Sequence, residues 1–187
     1  MATHLGAAAG TVAWLVAEWL HTGRPSALGA ISGAVAGLAT VTQGPGFVVP
    51  IVGAVYGLAG GLACFYLVVI VKHRLGYDDT LDAFGVHGVG GIIGATLTGV
   101  VATRAVNDAL KLASGEAAPV GWVDGNGGQI GNQLIGAAIG IRFAVVGSWV
   151  ALKITAVLTG GLRLEAREEI EGMDLVLHGE EGYTLEA

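Results

Sequence analysis

The sequence predicts an all-α protein, a polytopic transmembrane helix bundle, and three observations lead to this fold class. Hydrophobic residues make up 53% of the 187 residues and charged residues only 13%, and the mean hydropathy is +0.68. This balance is typical of proteins that cross a bilayer several times. Apolar runs recur at lengths that suit membrane helices. The 33 glycines lie inside those runs and not in polar linkers, which indicates close helix packing.

Five apolar stretches predict five membrane helices. We expect them at about 5–22, 27–42, 48–71, 81–102 and 130–159, so that residues 1–162 form one transmembrane bundle. The fourth helix has 21 uncharged residues between Asp82 and Arg104, which would span roughly 31 Å at the α-helical rise. Residues 163–187 contain eight of the fifteen acidic residues and predict a polar tail.

Glycines four residues apart give four of these helices a stripe of small residues. Such stripes let backbones approach closely in lipid, where little hydrophobic force drives helices together. The stripes are Gly29/Gly33/Gly37, Gly53/Gly57/Gly61, Gly90/Gly94 and Gly136/Gly140.

Basic residues in the predicted loops indicate the orientation. The loops after the first, third and fifth helices lie on one side and carry Arg24, Lys72, Arg74, Arg163 and Arg167. The positive-inside rule then puts the N-terminus outside and residues 163–187 in the cytoplasm, in a multi-pass protein of the cell (inner) membrane. Arg142, near the middle of the fifth helix, requires a partner, a protein-facing pocket or a snorkelling route.

His87 is the only histidine that lies far from any predicted membrane boundary. An ionisable side chain at that depth is disfavoured, so it indicates either a pathway residue or a histidine that forms a hydrogen bond between helices. Ala83, Gly91 and Gly94 are spaced to share its helix face, which leaves room for a small ligand or another backbone. The same helix begins with three aspartates that suit either a cation-attracting vestibule or helix capping, namely Asp78, Asp79 and Asp82.

Other chemistry is poorly supported by the sequence. Cys64 is the single cysteine, so neither an intrachain disulfide nor a cysteine-based zinc site is expected. The glycines around His87 lack the spacing of a nucleotide-binding loop, and no nucleophile motif accompanies the serines. We therefore expect no enzyme activity, no metal, no cofactor and no nucleic-acid partner.

The segment from Asp79 to Gly91 resembles the D-x-x-D-x-F-G-V-H-G-x-x-G motif of ammonium transporters, the Amt/MEP family. The resemblance implies a narrow hydrophobic pore lined by two histidines, one from each half of an inverted repeat, with His87 as the second. It adds Ala83 and Thr42 as pore residues, and Asp79, Asp82 and Phe84 as residues that structure the surroundings of the pore. Ala83 stands where the family often has the larger valine.

The tail also resembles the family, through its E-G-x-D-x…H-G-E…Y signature. The residues that carry it are Gly172, Asp174, His178, Gly179, Glu180 and Tyr183. The resemblance implies a homotrimer in the lipid bilayer whose cytoplasmic face is read by a PII-type signalling protein. It covers the last five of the family's eleven helices, so we expect transport to require the absent N-terminal half.

The expected function is transport of ammonium or ammonia through a hydrophobic pore with a histidine proton relay. A cation entering an apolar tube is strongly disfavoured, whereas neutral ammonia crosses easily and an imidazole can relay the proton. The alternatives are a membrane ammonium sensor and a structural or regulatory membrane protein that signals through its tail.

Overall fold

The computed structural model describes residues 1–106, 111, 115, 117, 120–180 and 182. The described residues form helices and no strand beyond one isolated bridge, which confirms the all-α prediction. The main helices are α1 (Ala2–Thr22), α2 (Ala27–Val41), α3 (Pro50–Leu75), α4 (Phe84–Val101), α5 (Gly128–Thr159) and α6 (Ala166–Glu171). A 3-10 turn, Trp122–Asp124, precedes α5, and a π-helical turn, Asp174–His178, follows α6.

Two helices contain π-helical segments. In α3 the segment is Tyr66–Val71, followed by a last α-helical turn, Lys72–Leu75. In α4 the segment is Phe84–Gly88, and the rest of the helix is regular. Because the hydrophobic pattern of a π turn does not differ from that of a buried α turn, the sequence gives no sign of either segment.

The helix bounds differ from the expected ones at two places near His87. The third helix continues to Leu75, beyond the expected end at 71, and the fourth begins at Phe84, later than the expected 81. By length and composition, α3, α4 and α5 can each cross a membrane, and α2 is a shorter apolar helix.

The chain divides into two compact units, residues 1–139 and residues 140–187, with the boundary inside α5. In the first unit α1 packs against α2 and α3, and α4 packs against α2 and α3. The rings of Trp14 and Phe65 meet edge to face at 5.6 Å in its larger core cluster. The hydroxyls of Tyr56 and Thr98 form a buried hydrogen bond of 3.0 Å between α3 and α4.

Glycines allow α1, α2 and α3 to approach backbone to backbone. A Cβ atom added to Gly61 of α3 would lie 2.6 Å from the Gly10 carbonyl oxygen of α1, and one added to Gly10 would lie 2.8 Å from the Gly37 Cα of α2. The stripe expected at Gly136 and Gly140 has no such helix contact, because an added Cβ there meets no described atom within 4 Å. No side chain of α5 is buried among the described residues.

Candidate functional site

The helix that carries His87 begins at a side-chain cap. Oδ2 of Asp79 accepts hydrogen bonds from the backbone N–H groups of Phe84 and Gly85, each at 3.1 Å. These N–H groups have no partner within the helix, and a carboxylate is favourable near the positive end of the helix dipole. Of the two interpretations of the aspartates, the geometry of Asp79 therefore corresponds to capping.

Asp82 connects this cap to the end of α3. It is the only described non-glycine residue with a positive φ, at 54°. The Nζ atom of Lys72 donates to Oδ1 of Asp82 at 2.6 Å and to the backbone oxygen of Asp79 at 2.5 Å. One ammonium group thus joins the last turn of α3 to two of the three aspartates that precede α4, Asp79 and Asp82.

The π-helical start of α4 packs tightly against α3. A Cβ atom on Gly85 would lie 2.5 Å from Cγ2 of Val68, so this position has no room for a side chain unless Val68 moves. The Sγ atom of Cys64 donates to the backbone oxygen of Val86 at 3.7 Å. Short π-helical segments inside α-helices occur frequently at functional sites.

His87 borders a groove of about 260 Å³ between the start of α4 and the first turns of α2. The imidazole is exposed, as is the neighbouring Ala83. The groove wall from α2 is largely aliphatic and contains one hydroxyl, and its residues are Leu28, Ile31, Ser32 and Val35. The wall from the α4 side consists of Thr80, Leu81, Asp82, Val86 and His87.

The predicted Gly90/Gly94 stripe of α4 lies against α2. A Cβ atom on Gly94 would clash with the backbone oxygen of Thr40, and one on Gly90 would lie 3.0 Å from its Oγ1. Thr42 lies at the opposite end of α2 from the groove. It is exposed, and its hydroxyl donates to the backbone oxygen of Leu38 at 2.6 Å. Thr42 is therefore separated from His87 in the described residues.

The tail residues form a small structure of their own within the second unit. Gly172 and Gly179 have φ values of 101° and 66°, a region that favours glycine. Between them, Oδ2 of Asp174 accepts from the backbone N–H of Gly182 at 3.2 Å. This bond and one from the N–H of Leu175 hold the pKa of the Asp174 carboxyl below its ordinary value.

The remaining predicted tail residues are placed as follows. His178 ends the π-helical turn, and the N–H of Glu180 donates to the backbone oxygen of Asp174 at 3.2 Å. Tyr183 lies outside the described residues. Arg142 is exposed on α5 and forms no ion pair with a described residue. Within the described part of the chain, no three His, Cys, Asp or Glu side chains converge as metal ligands would.

Comparison with known proteins assigns the family. The profile of the Ammonium Transporter Family matches residues 1–183. The chain belongs to this family. The ammonium transporter of Bacillus subtilis (strain 168) is 39% identical over 181 residues, which cover 97% of this chain and 43% of that protein. Ammonium transporter MEP2 of Saccharomyces cerevisiae is 37% identical over 187 residues, covering 98% of this chain and 37% of that protein.

Solved structures of ammonium transporters share the fold. The crystal structure of Saccharomyces cerevisiae Mep2 matches with a TM-score of 0.78 at 35% identity, over 89% of this chain and 37% of that chain. Candida albicans Mep2 matches with a TM-score of 0.78 at 30% identity, over 89% of this chain and 36% of that chain. The chain spans about two fifths of the length of these ammonium transporters.

These matches confirm several predictions. The helical membrane fold is that of an ammonium transporter, and the family and the apolar helices together identify a multi-pass membrane protein. The prediction that the chain is not an enzyme agrees with the names of the relatives, which are transporters.

Two residues near the candidate site were missed by sequence reasoning. Lys72 was used only as a basic residue at a helix end that indicates the orientation, although it is the first charge after a long apolar run and precedes three aspartates. Opposite charges at this spacing were the available signal for a pair with Asp82. Gly85 was not singled out, and its close contact with Val68 depends on a helix pairing that the sequence does not specify.

Proposed function

We propose that this chain forms one half of the pore of an ammonium transporter and that His87 lines that pore. The observation that carries the proposal is the groove beside His87, on a chain of the Ammonium Transporter Family. An ionisable side chain within a candidate membrane span, next to a groove and not in a packed core, favours a pathway residue over a packing histidine.

The chemistry of the groove supports a mechanism in which ammonium gives up its proton and crosses the groove as neutral ammonia. Its wall from α2 offers aliphatic side chains and one hydroxyl at Ser32, so a cation would lose most of its hydration there. Neutral ammonia would pass such a surface at little cost. An imidazole has two ring nitrogens, one of which can accept a proton while the other releases one, so His87 would act as a relay.

The exposed imidazole also supports a site that is completed by other residues. Inverted-repeat transporters place the substrate between two halves, and this chain would supply the second. We propose that Ala83 and Thr42 line the pore with His87, and that Asp79, Asp82 and Phe84 structure its surroundings. The complete protein would be a homotrimer in the lipid bilayer of the inner membrane.

The test is His87→Ala in a complete transporter, in which this chain is co-expressed with the N-terminal half of a family member. We expect ammonium-dependent growth to fail, or the charge carried per substrate in proteoliposomes to change, with a loss of about a hundredfold if the imidazole moves the proton. His73→Ala is the matched control, because His73 is exposed in the last turn of α3 and does not line the groove. A His87→Ala protein that transports with unchanged rate and charge would contradict the proposal.

A second function, signalling through the tail, is favoured by the local order of residues 166–180 and 182. The turns at Gly172 and Gly179 and the bonds to Asp174 give this stretch a defined shape without a buried core. We propose that it lies in the cytoplasm and that Gly172, Asp174, His178, Gly179, Glu180 and Tyr183 contribute to docking of a PII-type protein. Deletion of 165–187 should abolish capture of that protein in a pull-down, and unchanged capture would count against docking. Transport lost in His87→Ala while capture persists would separate the two functions.

A further inference from the structure

We propose that Lys72 is a positioning residue for His87, an inference that rests on the proposed transport function. Lys72 lies in the last turn of α3 and does not line the groove. Its Nζ atom nevertheless contacts both aspartates at the start of the His87 helix, Oδ1 of Asp82 at 2.6 Å and the backbone oxygen of Asp79 at 2.5 Å. The side chains of Lys72 and Asp82 are 22% and 31% exposed, so water screens the pair only in part.

The ion pair supports a backbone conformation of Asp82 that is uncommon for a non-glycine residue. The φ of Asp82 is 54°, in the left-handed region that non-glycine residues disfavour, and such a residue persists when its surroundings hold it in place. Among the described residues, the Lys72 ammonium forms the ion pair with the Asp82 carboxylate. Without it, Asp82 would be free to return to a common conformation.

A change at Asp82 reaches His87 through the first turn of the helix. The backbone oxygen of Asp82 accepts from the N–H of Val86 at 2.8 Å, and Asp79 caps the N–H groups of Phe84 and Gly85. His87 is the next residue after Val86. Lys72 thus contacts Asp79 and Asp82, the two residues that accept hydrogen bonds from the first turn of the His87 helix.

Lys72 also balances charge at the groove. Asp82 lines the groove together with His87, and its carboxylate would be an uncompensated anion there if Lys72 were neutral. An uncompensated carboxylate would retain a cation beside His87 and slow its departure. Loss of Lys72 should therefore lower the maximal rate and lower the apparent KM at the same time.

The experiment compares Lys72→Met with Lys72→Arg in the complete transporter described above. We expect Lys72→Met to lower the maximal uptake rate per folded protein by about tenfold or more, as for a displaced reacting group, while Lys72→Arg retains most of it. Arg74→Met is the matched control, because Arg74 lies in the same turn, is exposed and forms no ion pair with a described residue. A purely structural or topological role would reduce the amount of folded protein and leave the rate and KM of the remainder unchanged.

The double variant Lys72→Met/Asp82→Asn keeps the inference falsifiable if Lys72→Met folds poorly. Removing both charges should restore folding and raise the KM from the lowered value, but leave the rate low because the turn is still not held. The inference is overturned if Lys72→Met keeps the wild-type rate and KM, or if Arg74→Met loses as much. If His87→Ala impairs transport and Lys72→Met does not, the inference about Lys72 fails while the proposed function stands. If the wild-type protein does not transport, the proposed function fails as well.

Discussion

Replacing Gly61 by alanine tests the backbone contact between α3 and α1. The added methyl group would lie 2.6 Å from the Gly10 carbonyl oxygen, 3.1 Å from the Gly10 Cα and 2.9 Å from the Ala13 Cβ. Ordinary contact of a Cβ atom begins at 3.4 Å, so the carbonyl must move by 3.4 − 2.6 = 0.8 Å. Because two of these three atoms are backbone, the helices must separate, and overpacking of this kind costs about 1–3 kcal/mol.

A second glycine isolates the packing cost from helix propensity. Alanine stabilises a helix interior by about 1 kcal/mol relative to glycine, and this gain opposes the clash at Gly61. Gly136→Ala in α5 should show the gain alone, since no described atom lies within 4 Å of the added methyl group. The difference in unfolding free energy between the two variants should therefore equal the packing cost of about 1–3 kcal/mol.

The assay is reversible unfolding of the 187-residue chain in detergent, followed by circular dichroism during denaturant titration. Gly61→Ala should unfold at a lower denaturant concentration than Gly136→Ala, with the same slope if both native states are equally compact. Equal midpoints for the two variants would refute the reasoning, because they would mean that α1 and α3 do not approach each other closely at Gly10.

Two other predictions concern aspartates that accept backbone hydrogen bonds. Asp79→Ala removes the acceptor for two helix N–H groups and should lower the unfolding free energy by about 1 kcal/mol in the same titration; an unchanged value would contradict the capping role. For Asp174 the folded pKa is lowered, so its stabilisation is present above the ordinary pKa of about 4 and is lost as the pH falls through the lowered value. Amide exchange at Gly182 should therefore keep its protection at the ordinary aspartate pKa of about 4 and lose it as the pH falls further through the lowered value, and Asp174→Asn should abolish this pH dependence.

The sequence predicted what depends on composition and on spacing along one helix. The apolar runs located the helices, the glycines of α3 were expected to allow close packing, and the aspartates before α4 included capping among their interpretations. These features are local, so a single segment contains the information.

The features that were missed depend on two segments at once. Lys72 and Asp82 are ten residues apart, and their pairing accompanies a left-handed backbone at Asp82. Aspartate adopts that conformation more readily than most residues, but its presence alone does not specify it. The later start of α4 has the same origin, because the Asp79 cap acts on Phe84 and leaves Asp82 outside the helix. The stripe at Gly136 and Gly140 was predicted to pack against another helix, but an added Cβ there meets no described atom within 4 Å. The spacing of glycines along one helix does not show whether another helix lies beside it.

The π-helical turn Phe84–Gly88 changes the direction in which side chains project around the axis of α4. Each residue of an α-helix turns by about 100°, and a π turn holds about one residue more than an α turn, so residues on either side of it are out of phase by that angle. Within the π-helical turn Gly85 contacts Val68 of α3, whereas Gly90 and Gly94 lie against Thr40 of α2. A one-residue deletion inside Phe84–Gly88 would turn the imidazole relative to the glycines, and it would also disturb the contact of Gly85 with Val68. The length of this short stretch, as much as its composition, decides the direction in which the histidine points.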